Sequence, residues 1–357
     1  MNNSDRTPRQ PLGDGMVPLI LSSIFKSGVS LRNLLYDNAP ALSHEIGRPV
    51  ISVGAIHAGG TGKTPMSLLV GRHLTGQGRC VAFLSRGYGR PNNSVAICKP
   101  GSAVSWDLVG DEPALLHNAL PQSWLGISPV RRESARRLCG EVPPDTVFVL
   151  DDGFQHRQVK RDFDIVCLPP APFADKLMPA GTLREPLAAC ERADCLCIVG
   201  TSQEADECAR TRELLSSLFP SKPTVVLYQV PVEWRNLGTG EAVTKLKLAT
   251  PFLLSGIARP ERFTNMLATM GIHAGVSRFF DDHHVFTAKE IEKVCGAGFD
   301  GIVTTEKDAF RLNTIKLVNC PDIWYLKIGL SFADQLSQQR FFADLNNSVQ
   351  SHILKRR

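Results

Sequence analysis

VISVGAIHAGGTGKTP, residues 50–65, is the stretch of sequence that decides the fold. Its first five residues, Val50 to Gly54, are apolar or small and predict a short buried strand. Lys63 and Thr64 open a helix, and Pro65 is tolerated there because a first-turn proline lacks only an N–H that has no intrahelical partner. The loop before the helix holds the small residues Gly59, Gly60, Thr61 and Gly62. This order of strand, glycine-rich loop and helix predicts a phosphate-binding loop.

The residue types in this loop suit a nucleoside triphosphate. Small residues let backbone N–H groups converge on phosphate oxygens, Lys63 offers a flexible cation to the β- and γ-phosphates, and Thr64 offers a hydroxyl to Mg²⁺. The full pattern G-x-x-x-x-G-K-[ST] requires glycine at position 57, where this chain has His57, so the match is confined to the core GGTGKT. The alternative interpretation is a glycine-rich turn followed by a surface lysine.

The composition is that of an ordinary globular protein. Hydrophobic residues make up 43% of the chain and charged residues 21%, which excludes a disordered or fibrous chain. The length of 357 residues predicts two domains. The net charge of +5 is a mild basic bias that suits an anionic ligand or a membrane surface. It does not select nucleic acid as a partner, and the sequence carries no nucleic-acid-binding module that we recognise.

Ten cysteines are scattered between Cys80 and Cys320 without a C-x-x-C pair. We expect them to be small buried hydrophobic residues in a reducing cytosol. A zinc site lacks its ligand spacing, and a disulfide framework lacks the small secreted context in which it is usual.

The N-terminal region predicts an amphipathic helix over residues 17–36, after a polar segment over residues 1–16. The helix is too charged and too short to span a bilayer, and it lacks the basic start and small-residue cleavage site of a signal peptide. Two interpretations remain open: the helix lies in a bilayer interface, or it packs on the core of its own domain. No transmembrane segment is predicted elsewhere, so we expect the body of the protein to be cytosolic.

After the loop, helices alternate with strands, which predicts a parallel sheet with right-handed crossovers. A strand over Cys80–Leu84 runs into a basic turn that contains Arg86 and Tyr88. Ligand sites in such sheets lie at the carboxyl ends of strands, so both residues are candidates, the alternative being a solvated turn. Arg131 begins a run of four arginines on a predicted helix. Such a run is usually a solvated face, although one or two of its members could bind a substrate phosphate.

Two pairs of acids are candidates for Mg²⁺ binding and for activation of a hydroxyl. Asp111 and Glu112 stand at the start of a predicted helix, where carboxylates are most often helix caps. Asp151 and Asp152 follow four apolar residues, as expected of a buried strand that delivers carboxylates to the metal of a P-loop enzyme. His156 comes shortly afterwards and is a candidate to line the pocket.

The second half of the chain predicts a proline-flanked loop and then a second set of strands and helices. Arg184 and Glu185 lie in that loop, and the composition shifts between residues 220 and 234, near the predicted domain boundary. The sequence FDDHHVF contains His283. Consecutive residues rarely converge on one metal ion, so we weigh one histidine as an acid/base partner against a polar helix cap.

Seven motifs taken together resemble the lipid A 4'-kinases, the tetraacyldisaccharide 4'-kinase family. They are GGTGKTP, LSRGYGR, GDEP, DDGFQH, LMPAGTLREP, FDDHHVF and TTEKDA, in the order and at the spacing of the family. The resemblance implies transfer of the γ-phosphoryl group of ATP, with Mg²⁺, to the 4'-hydroxyl of a tetraacyl glucosamine disaccharide 1-phosphate. It implies a lipid A disaccharide precursor and the inner-membrane surface as partners, at the cytoplasmic face in a Gram-negative bacterium, with no obligate protein partner.

The fold implied is α/β: a P-loop NTPase-like parallel-sheet domain joined by a β-hairpin linker to a smaller α/β domain. We accordingly assign residues 1–38 to a tail and membrane-docking helix, 39–222 to the kinase domain, 223–330 to the smaller domain and 331–357 to a helical tail. The resemblance favours the bilayer interpretation of the N-terminal helix.

The resemblance also assigns roles to individual residues. Lys63 would hold the β- and γ-phosphates, and Asp111 would act as base on the sugar hydroxyl with His283 as its partner. The metal shell would consist of Thr64, Asp151 and Glu112. The remaining motif positions that line the substrate site are Arg86, Tyr88, Arg131, Asp152, His156, Arg184 and Glu185, with Arg131 facing the phosphate of the lipid.

The chain departs from the family at the rims of the site, where Ala55 replaces asparagine and His57 replaces serine or threonine. An Asn-Gly pair of the family is also missing near Ala174 and Asp175. Two competing functions are a P-loop GTPase or metal-delivery ATPase and a non-catalytic nucleotide-binding module. The N-K-x-D signature of guanine recognition is not matched by TEKD, and the retained acids argue against the non-catalytic module.

Overall fold

The computed structural model of the chain describes residues 15–90, 92–282, 284–295, 298–315 and 320–355. Contacts divide these residues into two compact units, one over Val230–Gly329 and the other over residues 15–229 together with 330–355. His283 lies outside the described residues.

The larger unit is built on a sheet of eight strands. The strands are β1 Val50–Gly54, β2 Val81–Ser85, β3 Ala96–Cys98, β4 Trp124–Ile127, β5 Val147–Asp151, β6 Phe163–Leu168, β7 Cys195–Gly200 and β8 Thr224–Asn236. Their order in the sheet is β3-β4-β2-β5-β1-β6-β7-β8, and only β3 runs antiparallel to its neighbour. Five of the strands, β1, β2, β5, β6 and β7, are buried along their whole length, which explains their continuous apolar sequences.

Helices pack on this sheet, and other helices belong to the smaller unit. They are α1 Met16–Asn38, α2 Lys63–Gly76, α3 Trp106–Val109, α4 Asp111–Ala119, α5 Arg131–Cys139, α6 Ala205–Leu218, α7 Pro260–Thr269, α8 Ala288–Cys295, α9 Glu306–Leu312 and α10 Gln335–Leu354. Short 3₁₀ turns lie at Pro40–Leu42, Pro172–Ala174, Leu187–Arg192 and Ser202–Glu204. Helices α7, α8 and α9 belong to the smaller unit, and α10 returns to the larger one.

The smaller unit contributes four parallel strands and one short antiparallel strand. Its strands are β9 Ala242–Val243, β10 Pro251–Ser255, β11 Val276–Phe279, β12 Gly301–Thr305 and β13 Ile323–Phe332. The order is β11-β10-β12-β13, all parallel, while β9 pairs antiparallel with the end of β8. The chain leaves the larger unit within β8 and returns to it within β13. The predicted alternation of strands and helices is confirmed in both units, and the assigned domain boundaries stay predictions.

One expectation about the cysteines is wrong. Cys295, at the end of α8, and Cys320, shortly before β13, form a disulfide with their Cα atoms 4.6 Å apart. The two residues are 25 positions apart, and it is the packing of α8 beside the sheet that brings them together. No spacing rule could therefore pair them. The eight other cysteines are free and buried or partly buried, as expected.

The predicted N-terminal helix is present as α1. Ser22 and Val29 are its only buried residues among those described, so most of its apolar side chains are not covered by the larger unit. The exposed apolar residues of α1 are Met16, Val17, Leu19, Ile20, Leu21, Ile24, Leu31, Leu34 and Leu35. Among the described residues, every helix is too short or too polar to cross a membrane.

Candidate active site

The site is organised around the loop between β1 and α2. Gly62 has φ +80°, and a Cβ atom there would lie 2.6 Å from Val199 Cγ1, so a side chain is excluded for both reasons. Gly59 also has a positive φ, +79°. The loop therefore turns into the N-terminus of the 14-residue helix α2, whose first N–H groups and dipole favour an anion.

A second segment supports this loop by backbone hydrogen bonds. The amide of Ala58 donates to the carbonyl of Thr182 (2.8 Å), and the amide of Arg184 donates to the carbonyl of Ile56 (2.6 Å). His57 and Leu183 form an antiparallel bridge between these two bonds. His57 thus takes a buried position in a two-stranded contact, and Arg184 is placed beside the loop.

Asp152 contacts three cationic side chains of the site. Its carboxylate accepts from Arg184 Nη1 at 2.9 and 2.8 Å and lies 3.8 Å from Lys63 Nζ, while its carbonyl accepts from Arg131 Nη2 at 3.2 Å. Burial alone would raise the pKa of Asp152, but the charges of Lys63, Arg184 and Arg131 lower it to about 2. Asp152 has φ +51°, a left-handed conformation that aspartate and asparagine tolerate better than most residues.

Arg131 is the buried member of this cationic cluster, and the partly buried His156 lies within reach of its charge. Arg131 is 5% exposed, and its burial lowers its pKa to about 10, so it stays charged at neutral pH. The pKa of His156 is lowered to about 3 by burial and then by Arg131, Arg161 and Arg86, so its imidazole is neutral. Arg86 is exposed at the end of β2. The arginine run is thus not simply a solvated face, because its first member is buried in the site.

Two other acids of the site come from different elements. Asp151 is the last residue of β5, and Glu112 lies in the first turn of α4. Asp151 Oδ1 accepts from Ser67 Oγ at 2.7 Å, and Ser67 lies one turn after Thr64 on α2. The pKa of Asp151 is raised to about 7 by burial and then by the carboxylate of Glu112, an effect that the Ser67 hydrogen bond only partly offsets. A divalent cation would relieve the repulsion between these two carboxylates, and the buried Thr64, one helical turn before Ser67, could add its hydroxyl.

The donor set also fits the way in which Mg²⁺ is usually held. Within the described residues, no group of three or more His, Cys, Asp or Glu side chains could hold a metal ion by itself. Mg²⁺ in nucleotide sites takes one or two carboxylates and completes its shell with water and substrate phosphates. Thr64, Asp151 and Glu112 match that requirement.

Asp111 and Glu112 are not the cap of their helix. Gly110 is the N-cap residue of α4, and both acids lie in the first turn. A Cβ atom on Gly110 would lie 2.6 Å from the carbonyl oxygen of Tyr88, so the turn that carries Tyr88 packs closely on the start of α4. Asp111 is partly buried there, and the side chain of Tyr88 is 46% exposed.

Glu185 is placed differently from the other predicted lining residues. It is fully buried, and its carboxylate contacts Arg32 and Asn33 of α1, Gln155 and Arg192. Sequence reasoning missed these partners and Ser67. A small polar residue four positions after Lys63, on the buried face of α2, is the signal that could have identified Ser67. No local pattern connects Arg32 to Glu185.

Comparison with known proteins places the chain among lipid kinases. Residues 16–349 match the family model described as LpxK, tetraacyldisaccharide-1-P 4'-kinase. A tetraacyldisaccharide 4'-kinase of Anaeromyxobacter sp. (strain K) is 38% identical over 310 residues, which is 83% of this chain and 81% of that protein. One from Chlorobaculum tepidum is 34% identical over 330 residues, covering 88% and 92% of the two chains.

A solved structure agrees with these relatives. The crystal structure of LpxK from Aquifex aeolicus, described as an "apo" form in complex with ATP, superposes with a TM-score of 0.75 at 30% identity. The match covers 93% of this chain and 98% of that one. Family model, relatives and structure agree: this chain belongs to the tetraacyldisaccharide-1-P 4'-kinase family.

Proposed function

We propose that this chain transfers the γ-phosphoryl group of ATP to the 4'-hydroxyl of a tetraacyl glucosamine disaccharide 1-phosphate in lipid A biosynthesis. One observation supports the proposal above the others. The GGTGKT loop, a cluster of cations around Asp152 and the carboxylate pair of Asp151 and Glu112 meet at the ends of neighbouring strands. Phosphoryl transfer depends on positioning and on charge stabilisation, and these are the groups that it requires.

The donor half of the reaction uses the loop and α2. The backbone N–H groups at the start of α2 bind phosphate oxygens, and Lys63 moves from Asp152, 3.8 Å away, to the β- and γ-phosphates. Thr64, Asp151 and Glu112 would hold Mg²⁺, which, when bound, neutralises charge on the phosphate oxygens. Asp152 keeps Arg184 oriented by two hydrogen bonds.

The acceptor half uses the remaining cations. Arg131, Arg184 and the exposed Arg86 bind a phosphate group of the lipid, with Tyr88 and the neutral His156 beside them. A neutral imidazole can accept a hydrogen bond from a sugar hydroxyl as well as donate one. Asp111 takes the proton of the attacking hydroxyl, and His283 assists it, as the motif resemblance implies.

We assign membrane binding to α1. Its exposed apolar side chains would enter the bilayer interface, which supports a peripheral protein. The motif resemblance assigns it to the cytoplasmic face of the inner membrane of a Gram-negative bacterium. The lipid precursor and this surface are the partners. Removal of residues 1–36 should release the protein from vesicles, and unchanged retention would contradict the role of α1.

The reaction is tested with purified protein, ATP labelled at the γ-phosphate and the acyl disaccharide. Label should appear in the lipid, and its absence would refute the proposed activity. Asp111→Ala and His283→Ala should each lower turnover by at least about a hundredfold, the usual contribution of a general base, with little change in ATP affinity. Asp145→Ala and His273→Ala, at exposed positions, are the matched controls. Near-normal turnover in Asp111→Ala would remove its assigned role.

A further inference from the structure

Glu185 is a buried carboxylate whose partners come from separate segments of the larger unit. Asn33 Nδ2 donates to Oε2 at 2.7 Å, and Arg32 Nη2 lies 3.1 Å from Oε1. Gln155 Nε2 donates to Oε1 at 3.1 Å, and Arg192 Nη2 lies 3.0 Å from Oε2. Each oxygen therefore has two donors, as a buried charge requires. Half of these donors are on α1.

The same group of residues reaches the nucleotide loop. Gln155 Nε2 also donates to the carbonyl of Ala55 at 3.0 Å, directly after β1. Arg184, the residue before Glu185, donates its amide to Ile56 and its guanidinium to Asp152. One side chain, Glu185, therefore lies between α1 on one side and the loop and its cationic cluster on the other.

Directional polar bonds dominate the attachment of α1. Ser22 Oγ donates to the carbonyl of Leu177 (2.8 Å) and accepts from the amide of Ala180 (3.1 Å). Arg157 donates to the carbonyl of Asn33 (3.2 Å) and pairs with Asp37 (2.6 Å). Because the apolar side chains of α1 are mostly exposed, hydrophobic burial contributes little to its orientation. Polar bonds weaken steeply when they are misaligned, so such an attachment fixes orientation.

We infer that Glu185 is a positioning residue that fixes α1 relative to the nucleotide loop, so that lipid seated against α1 presents its hydroxyl at the site of phosphoryl transfer. The inference rests on the proposed function for its effect on catalysis. The attachment of α1 through Glu185 can also be measured without any reaction.

The test uses Asn33→Ala and its matched control Asn38→Ala. Both remove an amide from α1, but Asn33 donates to Glu185 whereas Asn38 donates to Leu34 of its own helix. For Asn33→Ala we expect the KM for the lipid to rise about tenfold, the usual effect of losing one hydrogen bond to a charged group. The kcat and the KM for ATP should stay within about twofold of the wild-type values, and Asn38→Ala should match the wild type in all three.

Hydrogen exchange of the α1 amides separates this inference from the proposed activity. Exchange in the purified protein should be faster in Asn33→Ala and Arg32→Gln than in Asn38→Ala. If Glu185→Gln folds, combining it with Arg32→Gln should add less than the sum of the single effects. If Glu185→Gln does not fold, the comparison of Asn33→Ala and Arg32→Gln with Asn38→Ala decides the test.

Unchanged exchange in Asn33→Ala, or equal KM values in the two asparagine variants, would overturn the inference. A wild-type protein that does not phosphorylate lipid would refute the proposed function and leave the exchange result to decide the attachment.

Discussion

The same substitution at two neighbouring aspartates should change stability in opposite directions. Asp151 faces Ser67 and Glu112, whereas Asp152 faces Lys63 and Arg184. Asparagine has the shape of aspartate without its charge, so Asp151→Asn and Asp152→Asn isolate the contribution of each charge. Asparagine also tolerates the φ of +51° at position 152, so backbone strain does not confuse the comparison.

Asp151→Asn should stabilise the protein in the absence of nucleotide and metal. The pKa of Asp151 is raised from its ordinary value of 3.8 to about 7, so the folded state retains a proton that the unfolded state has lost. The contribution of Asp151 to the free energy of unfolding therefore falls as the pH rises from about 4 to about 7. At ~1.4 kcal/mol per pKa unit, the ionised carboxylate costs up to about 4 kcal/mol near pH 8. The Oδ1 of asparagine still accepts from Ser67, so we expect a gain of about 2–4 kcal/mol.

Asp152→Asn should destabilise the protein under the same conditions. The pKa of Asp152 is lowered from 3.8 to about 2, so its ionised form adds stability that is present above about pH 4 and is lost as the pH falls toward 2. The side chain is 27% exposed, and solvent screens part of this effect. We expect a loss of about 1–2 kcal/mol near pH 8.

The assay is urea unfolding of the wild type and the two variants, with a chelator present, near pH 5.5 and pH 8. The advantage of Asp151→Asn should shrink at the lower pH, because the wild-type carboxyl is then mostly protonated. The same variant should lose kinase activity although it is more stable. The reasoning is refuted if Asp151→Asn is less stable than the wild type near pH 8, or if its advantage does not depend on pH.

Three further predictions concern single contacts. Gly62→Ala should lower the free energy of unfolding by more than about 1 kcal/mol and weaken the binding of a fluorescent ATP analogue, because its Cβ atom would meet Val199 at 2.6 Å. Arg184→Lys should reduce kcat/KM for the lipid about tenfold in the labelled-ATP assay, because a guanidinium that contacts Asp152 through Nη1 has further planar N–H donors for a phosphate, whereas lysine has one nitrogen for both. Reduction of the Cys295–Cys320 disulfide should lower the stability of the smaller unit by about 3 kcal/mol, and reductant should not affect a Cys320→Ser variant.

Local sequence was sufficient to predict the sheet and the nucleotide loop. Strands buried on both faces read as unbroken apolar runs, and β1 and β5 each end where the run gives way to glycine or aspartate. The loop is equally local, since Gly62, Lys63 and Thr64 are consecutive. Residues whose placement depends only on the end of a strand or the start of a helix could therefore be located from the sequence.

Contacts between distant segments could not be predicted in this way. Asn33 and Glu185 are 152 positions apart, and nothing near either residue indicates the other. Arg131 belongs to a run that resembles a solvated face, and only the packing of α5 shows that its first member is buried. The disulfide in the smaller unit has the same origin. Spacing rules describe one element at a time, whereas these contacts depend on how several elements pack.

The end of β5 shows how two identical residues acquire different roles. Asp151 is the last residue of the strand and points toward α2 and Glu112, where its charge is unfavourable unless a cation is present. At Asp152 the chain turns into the left-handed region, which directs the next carboxylate to Lys63 and Arg184, where its charge is favourable. The change of backbone conformation thus separates a carboxylate suited to a metal from one suited to positioning cations. Because the stability lost at one residue is partly regained at the next, the strand end can carry a carboxylate that is suited to a metal. The charge of Asp152 also helps to raise the pKa of Asp151, so the two carboxylates repel one another and loss of Asp152 should weaken the fold less when Asp151 is ionised.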